Sequence, residues 1–225
     1  MDLDVLIRVV IWAVPVLFSI VIHEVSHGWM AYRLGDDTAK RLGRLTLNPL
    51  SHIDLIGTLI LPFILIIVGG PVFGWAKPVP YNPYNFNPNV NPRNGAMWVA
   101  VAGPGSNLCL AFISSFVFVA AQKFLSGLPS IVYFSITQLA QALIIINLVL
   151  ACLNLIPIPP LDGSKILMRF LPPAYDRYFL MLERYGFLIL IILLATGAFS
   201  SLIWAPVKFL YGIFLLIPAL LFGAT

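Results

Sequence analysis

The stretch Leu17-Phe18-Ser19-Ile20-Val21-Ile22-His23-Glu24-Val25-Ser26-His27-Gly28-Trp29-Met30-Ala31 places two imidazoles and a carboxylate inside an otherwise apolar run. That run extends from about Val5 to Tyr32, with Pro15 inside it, and ~20 mostly apolar residues suffice for a helix to cross a bilayer. An ionisable side chain at that depth costs about 2.5–3.5 kcal/mol on insertion scales and marks a functional site. Residues four apart on a helix lie on nearly the same face, so His23 and His27 can reach one metal ion, with Glu24 next to the first of them. The chain has only three histidines, and two are here.

Composition agrees with a membrane setting. Of 225 residues 60% are hydrophobic and 10% charged, and the mean hydropathy is +0.96; soluble domains are about 25% charged. A globule of this size cannot hide that much apolar surface, so the excess faces lipid. Thirteen Lys and Arg against nine Asp and Glu leave a net charge of +4. Most of the basic residues fall between apolar segments, which reads as membrane topology rather than nucleic-acid binding. Cys109 and Cys152 lie inside apolar runs without CxxC spacing and read as packing residues. No cleavable signal peptide is evident in the first stretch.

H-E-x-x-H supplies two metal ligands and a general base, and a catalytic zinc takes a third protein ligand while keeping an open position. The candidates are His52, Asp54 and Asp162, with Asp36 and Asp37 less favourable. Asp162 closes the run Asn154-Leu155-Ile156-Pro157-Ile158-Pro159-Pro160-Leu161-Asp162-Gly163, which ends a span and breaks it with prolines. Two readings are open from spacing alone: a carboxylate ligand on irregular backbone, or an N-cap for the helix that follows.

Along the chain, apolar segments fall near residues 5–32, 53–68, 95–121, 131–155, 187–200 and 202–222, with a short charged piece from Asp162 to Arg184. The expected fold is an all-α polytopic membrane protein of five to six membrane segments. It forms one membrane domain over 1–225, with a catalytic core of about 5–170 and C-terminal segments of about 178–225. Segment 53–68 is short and ends in Gly69-Gly70-Pro71, and Gly74 to Asn94 is rich in Pro and Asn. If His23, His27 and Asp162 meet at one depth, residues 53–94 must form a re-entrant hairpin or cross and return. Arg33, Lys40, Arg41, Arg44, Lys77, Arg93, Lys165, Arg169, Arg177 and Arg184 then share one side, which reads as cytoplasmic. Arg8 and Lys123 fall on the other, and Lys208 lies within the last apolar stretch.

An H-E-x-x-H in a membrane helix followed by N-x-x-P-x-P-x-L-D-G at Asn154–Gly163 resembles the site-2 protease family of intramembrane metalloproteases. Gly103-Pro104-Gly105-Ser106-Asn107, Leu47-Asn48-Pro49-Leu50-Ser51-His52-Ile53-Asp54 and Gly74-Trp75-Ala76-Lys77-Pro78-Val79-Pro80-Tyr81 are also similar to it. The resemblance implies one zinc ion per chain held by His23, His27 and Asp162, with Glu24 as catalytic base. It implies that Asn154 lies near the active site, where its amide can donate to a developing oxyanion. Asn107 would be a structural or substrate-facing polar group. His52 would bond near the substrate channel, or be a loop histidine at the interface.

The activity implied is hydrolysis of peptide bonds in or near the membrane spans of other proteins, or of signal-peptide remnants. The form expected is compact, without a PDZ or nucleotide-binding domain, in a prokaryotic cell membrane with the site towards the cytoplasm. Unwound substrate would pair strand-like with an edge at Arg44 to Leu47 or Gly74 to Pro80, giving minor β structure near the site. The rival readings are a metal-ion transporter and an inactive relative that only binds membrane proteins. Against the first, the spans from Phe187 onward hold almost no polar side chains; against the second, His23, Glu24, His27 and Asp162 are all retained.

Overall fold

Backbone groups in lipid find no water, so long apolar runs satisfy their hydrogen bonds internally as helices. The computed structural model describes residues 3–60, 63, 64, 67 and 76–223. Its fully described α-helices are α1 (Leu3–Arg33), α2 (Thr38–Arg41), α3 (Pro92–Phe124), α4 (Ser130–Asn154), α5 (Asp162–Met168), α6 (Asp176–Ala195) and α7 (Ala198–Phe222). Among the described residues, four stretches are long and apolar enough to cross a membrane: Val10–Arg33, Pro92–Phe124, Ser130–Asn154 and Leu202–Phe222. They present bare apolar side chains outward, such as Trp12, Val14 and Phe18 on α1, Ile131 and Phe134 on α4, and Leu220 and Leu221 on α7. Water would penalise such a surface and lipid does not.

The helix ends follow from local chemistry. Pro92 opens α3, where its missing N–H is not needed, and the Asn91 side chain accepts from the amides of Arg93 (3.0 Å) and Asn94 (3.3 Å). Hydropathy placed a segment at 187–200, whereas α6 starts at Asp176 and stops at Ala195. Asp176, Arg177, Glu183 and Arg184 lower the hydropathy of its first half without interrupting the helix. Gly197, at φ +70°, takes the left-handed conformation that separates α6 from α7.

Segment 53–68 begins with a six-residue π-helical turn, Leu55–Ile60. Asp54 caps it, accepting from the amides of Ile56 (3.1 Å) and Gly57 (2.7 Å). Most of residues 61–75 lies outside the described residues, and with it the middle of the re-entrant hairpin expected over 53–94. The expected minor β structure is not found: among the described residues there is no strand. The reason lies in the sequence of the extended piece Ala76–Pro80. Pro78 and Pro80 have no N–H to offer a ladder. The amide of Lys77 bonds the His52 carbonyl at 2.9 Å, and that of Val79 bonds a Glu24 carboxylate oxygen at 2.9 Å.

Two compact units emerge. The first comprises Met1–Ser19, Pro104–Asn154 and Ser200–Thr225; the second comprises Ile20–Gly103 and Leu155–Phe199. The first has a core of Ile11, Ala142 and Ile146, packed by Val16 and Leu139, and edge-to-face contacts of Phe112 with Phe116 and Phe214. At its centre a closed network joins three helices. Asn107 donates to the Asn147 side-chain oxygen (2.7 Å), and Asn147 donates to the Ser19 hydroxyl (2.8 Å) and the Leu143 carbonyl (2.8 Å).

The second unit has a core of Ala31, Phe86 and Val99, packed by Met30, Leu34 and Tyr81. Asp36, fully buried, ties the turn after α1 to the Pro/Asn-rich segment. Its carboxylate accepts from the Thr38 amide (3.1 Å) and hydroxyl (2.5 Å), the Asn82 amide (2.6 Å) and the Asn85 side chain (3.1 Å). Burial alone would raise the Asp36 pKa, but these donors outweigh it and hold the carboxyl below its ordinary value.

Candidate metal centre

Within the second unit, one turn of α1 brings His23 and His27 together as their spacing requires. Their Nε2 atoms lie 3.0 Å apart. The first residue of α5 completes a triangle: Asp162 Oδ2 is 3.2 Å from His23 Nε2 and 3.3 Å from His27 Nε2. All three residues are buried, at 7, 8 and 8% exposure. Among the described residues they form the one group of three or more His, Cys, Asp or Glu side chains able to share a metal ion.

The triangle has the dimensions that zinc demands. Ligands at ~2.0–2.1 Å in tetrahedral array are about 3.3 Å apart, against the 3.0, 3.2 and 3.3 Å seen here. The donor chemistry fits as well. His27 Nδ1 lies 2.6 Å from the Val99 carbonyl, so the proton of the neutral ring sits there and Nε2 turns a lone pair inward. Asp162 Oδ2 is buried without a hydrogen-bond donor. Lone pairs gathered in a dry site repel unless a cation lies among them.

Two glycines make the approach possible. A Cβ on Gly103 would lie 2.4 Å from His27 Nε2 and 2.7 Å from His23 Cε1. A Cβ on Gly163 would lie 2.3 Å from the Leu155 carbonyl oxygen, so α5 could not start where it does. Neither role is readable from spacing, although both glycines belong to the quoted motifs. Asp162 also begins α5, but the N-cap position is Leu161 and no side-chain cap forms there. The capping reading of Asp162 is therefore not realised.

Glu24, next to His23, is oriented by the Val79 amide, which donates to its Oε2. The other carboxylates open as third ligands are engaged elsewhere: Asp36 and Asp54 as described, and half-buried Asp37 with Arg41 at 2.6 Å. His52 is buried and sits apart from the triangle's ligand set, donating from Nε2 to the Thr46 carbonyl (2.9 Å). Asn154 ends α4 in the first unit, its amide donating to the Leu150 carbonyl (3.0 Å). Asn107 lies in the buried network of that unit. Asn147 and Ser19, its partners, escaped notice in the sequence; an Asn within an apolar run is the signal that could have found the first of them.

A family model described as peptidase family M50 matches residues 11–193. The chain is 41% identical over 193 residues to “Putative zinc metalloprotease YwhC” of Bacillus subtilis, covering 85% of this chain and 83% of that protein. It is 32% identical over 189 residues to “Putative zinc metalloprotease Rip2” of Mycolicibacterium smegmatis, covering 82% and 66%. With the Mycobacterium tuberculosis H37Rv protein of the latter name it shares 27% over 195 residues, covering 87% and 70%. No solved structure matches.

Proposed function

This chain belongs to peptidase family M50, the site-2 protease family, and we propose that it is an intramembrane zinc endopeptidase that cleaves within or near the membrane spans of other proteins. The observation that carries this reading is the buried triangle of His23, His27 and Asp162 with Glu24 one residue along the same helix. One zinc ion per chain, held by these three residues, would polarise the scissile carbonyl as a Lewis acid. Glu24, fixed through Oε2 by the Val79 amide, takes a proton from the attacking water and delivers it to the leaving amine nitrogen. Asn154 has a second amide N–H besides the one given to Leu150, and we assign it to the oxyanion. His52 contributes through the loop it holds, rather than by touching substrate, and Asn107 is structural, through its helix-joining network.

The substrates on this reading are transmembrane proteins or signal-peptide remnants, because only they present a peptide bond at the depth of an apolar helix. The ten basic residues Arg33, Lys40, Arg41, Arg44, Lys77, Arg93, Lys165, Arg169, Arg177 and Arg184 all belong to the unit that holds the triangle. The positive-inside rule then directs that unit to the cytoplasmic side of a prokaryotic cell membrane. The test is zinc content together with cleavage of a model membrane-span substrate, for the native chain and for Glu24→Gln. The expected result is stoichiometric zinc in both, with cleavage lower by about 10²–10⁴-fold in the variant, the contribution of a positioned base. A variant as active as the native chain, or a native chain without zinc, would overturn the proposal.

A further inference from the structure

The second unit buries one arginine, Arg44, at 8% exposure, and among the described residues it has no carboxylate partner. A guanidinium removed from water needs strong hydrogen bonds to be tolerated. Here Nη1 donates to the Ser51 carbonyl, while Nη2 donates to the carbonyls of Lys77 (2.8 Å) and Pro78 (3.2 Å). The fork thus grips two consecutive carbonyls of the Lys77-Pro78-Val79-Pro80 strap and anchors them to the loop that carries His52.

The strap owns two amides, those of Lys77 and Val79, because proline has none. The Lys77 amide bonds the His52 carbonyl at 2.9 Å, and His52 Nε2 in turn bonds the Thr46 carbonyl at 2.9 Å. The Val79 amide bonds Glu24. The Pro78 carbonyl and the Val79 amide belong to one peptide unit, and that unit is a rigid plane. Arg44 holds one end of this plane and Glu24 is held by the other. Hydrogen bonds at the two ends of a peptide also polarise one another.

We propose that Arg44 is a positioning residue for the reaction: through the Pro78–Val79 peptide plane it fixes the direction of the amide that orients the Glu24 carboxylate. The proposal rests on the reading of Glu24 as general base. It explains why the residue is arginine. Lysine offers a point charge that cannot serve Ser51, Lys77 and Pro78 in one fixed geometry.

The experiment uses the full zinc-loaded chain with Arg44→Lys, Arg44→Ala and Glu24→Gln, and Arg44→Lys combined with Glu24→Gln. Four quantities are read: zinc content, thermal unfolding, kcat and KM on a model membrane-span substrate, and hydrogen exchange of the 76–80 backbone amides. Arg44→Lys, which keeps the charge, guards against loss of folding in Arg44→Ala. The expected result is full zinc, kcat down by about 10- to 100-fold in line with other supporting partners of a metal site, and KM within about twofold. In the Glu24→Gln background Arg44→Lys adds little, since residues acting as one unit are non-additive. Exchange of the Val79 amide rises in both Arg44 variants.

An active native chain with unchanged kcat and unchanged Val79 exchange in Arg44→Lys would overturn the inference. So would a loss of the same factor in the Glu24→Gln background, or one that tracks zinc loss, since either marks a purely structural brace. A native chain with no zinc-dependent cleavage would instead refute the proposed function. Val79 exchange would still read whether Arg44 holds the strap.

Discussion

The two units bury polar groups of different kinds. Among the described residues, those buried in the first are Ser19, Asn107, Ser114, Ser115, Thr137 and Asn147, all uncharged. The second buries His23, His27, Asp36, Arg44, His52, Asp162 and Ser164, of which only Ser164 carries no ionisable group. Neutral amides and hydroxyls join apolar helices at modest cost and supply no charge. Ionisable groups are expensive to bury, so each must be paired, liganded or hydrogen-bonded. One unit therefore reads as a helix-joining frame, and the other as the unit in which charge is assembled for chemistry.

The contrast breaks most readily at Asp162. Asp162→Ala removes one corner of the triangle in the second unit, and the expected outcome is loss of stoichiometric zinc with cleavage at background. Zinc retained at native occupancy, measured by elemental analysis, would show that the third ligand is another residue. A smaller effect is expected from Gly103→Ala, which drives a methyl group to 2.4 Å from His27 Nε2. Zinc affinity should weaken by about 10- to 100-fold, the range for groups that support ligands, read by competition with a chelator. Unchanged affinity would mean that α1 and α3 separate freely there.

For the helix-joining network of the first unit the expected effect is on stability alone. Asn147→Leu removes the acceptor for Asn107 and the donor to Ser19, and should lower stability by about 0.6–1.7 kcal/mol, the range for hydrogen bonds between membrane helices. Zinc content should stay at one per chain and kcat should hold. A variant that unfolds normally but loses zinc would erase the distinction between the units.

The mildest expectation concerns Asp36. Its carboxyl is held below its unfolded value, so its contribution to stability is complete above about pH 4. That contribution is lost as pH falls through the lowered folded-state value. Asp36→Asn should be less stable at neutral pH and show a shallower stability loss below about pH 4, measured by unfolding at a series of pH values. Identical acid slopes in the two proteins would show that Asp36 does not link the turn to the Asn82–Asn85 segment.

How much of this was legible in the sequence differs from residue to residue. His23, Glu24 and His27 could be read directly, because helical period and apolar surroundings together leave little else for them to do. The long helices could be read from the same runs, except where Asp176, Arg177, Glu183 and Arg184 disguised the first half of α6. Asp162 was evenly poised between ligand and cap until the resemblance favoured the ligand reading, since a carboxylate after prolines suits both roles. Arg44 was legible only as a charge. In a polar loop it reads as one more topological charge, and nothing in its neighbours tells that three carbonyls surround it.

What the sequence determines by itself is periodicity and solvent preference: which runs must be helices in lipid, and that two imidazoles on one helix turn share a face. Those are local consequences of 3.6 residues per turn and of the cost of bare backbone in an apolar medium. The tertiary structure alone decides which distant group completes the triangle, why Gly103 must lack a side chain, and where the two amides of a proline-rich strap are directed. These depend on distances between segments far apart in the chain, and such distances are set by packing that no local pattern encodes.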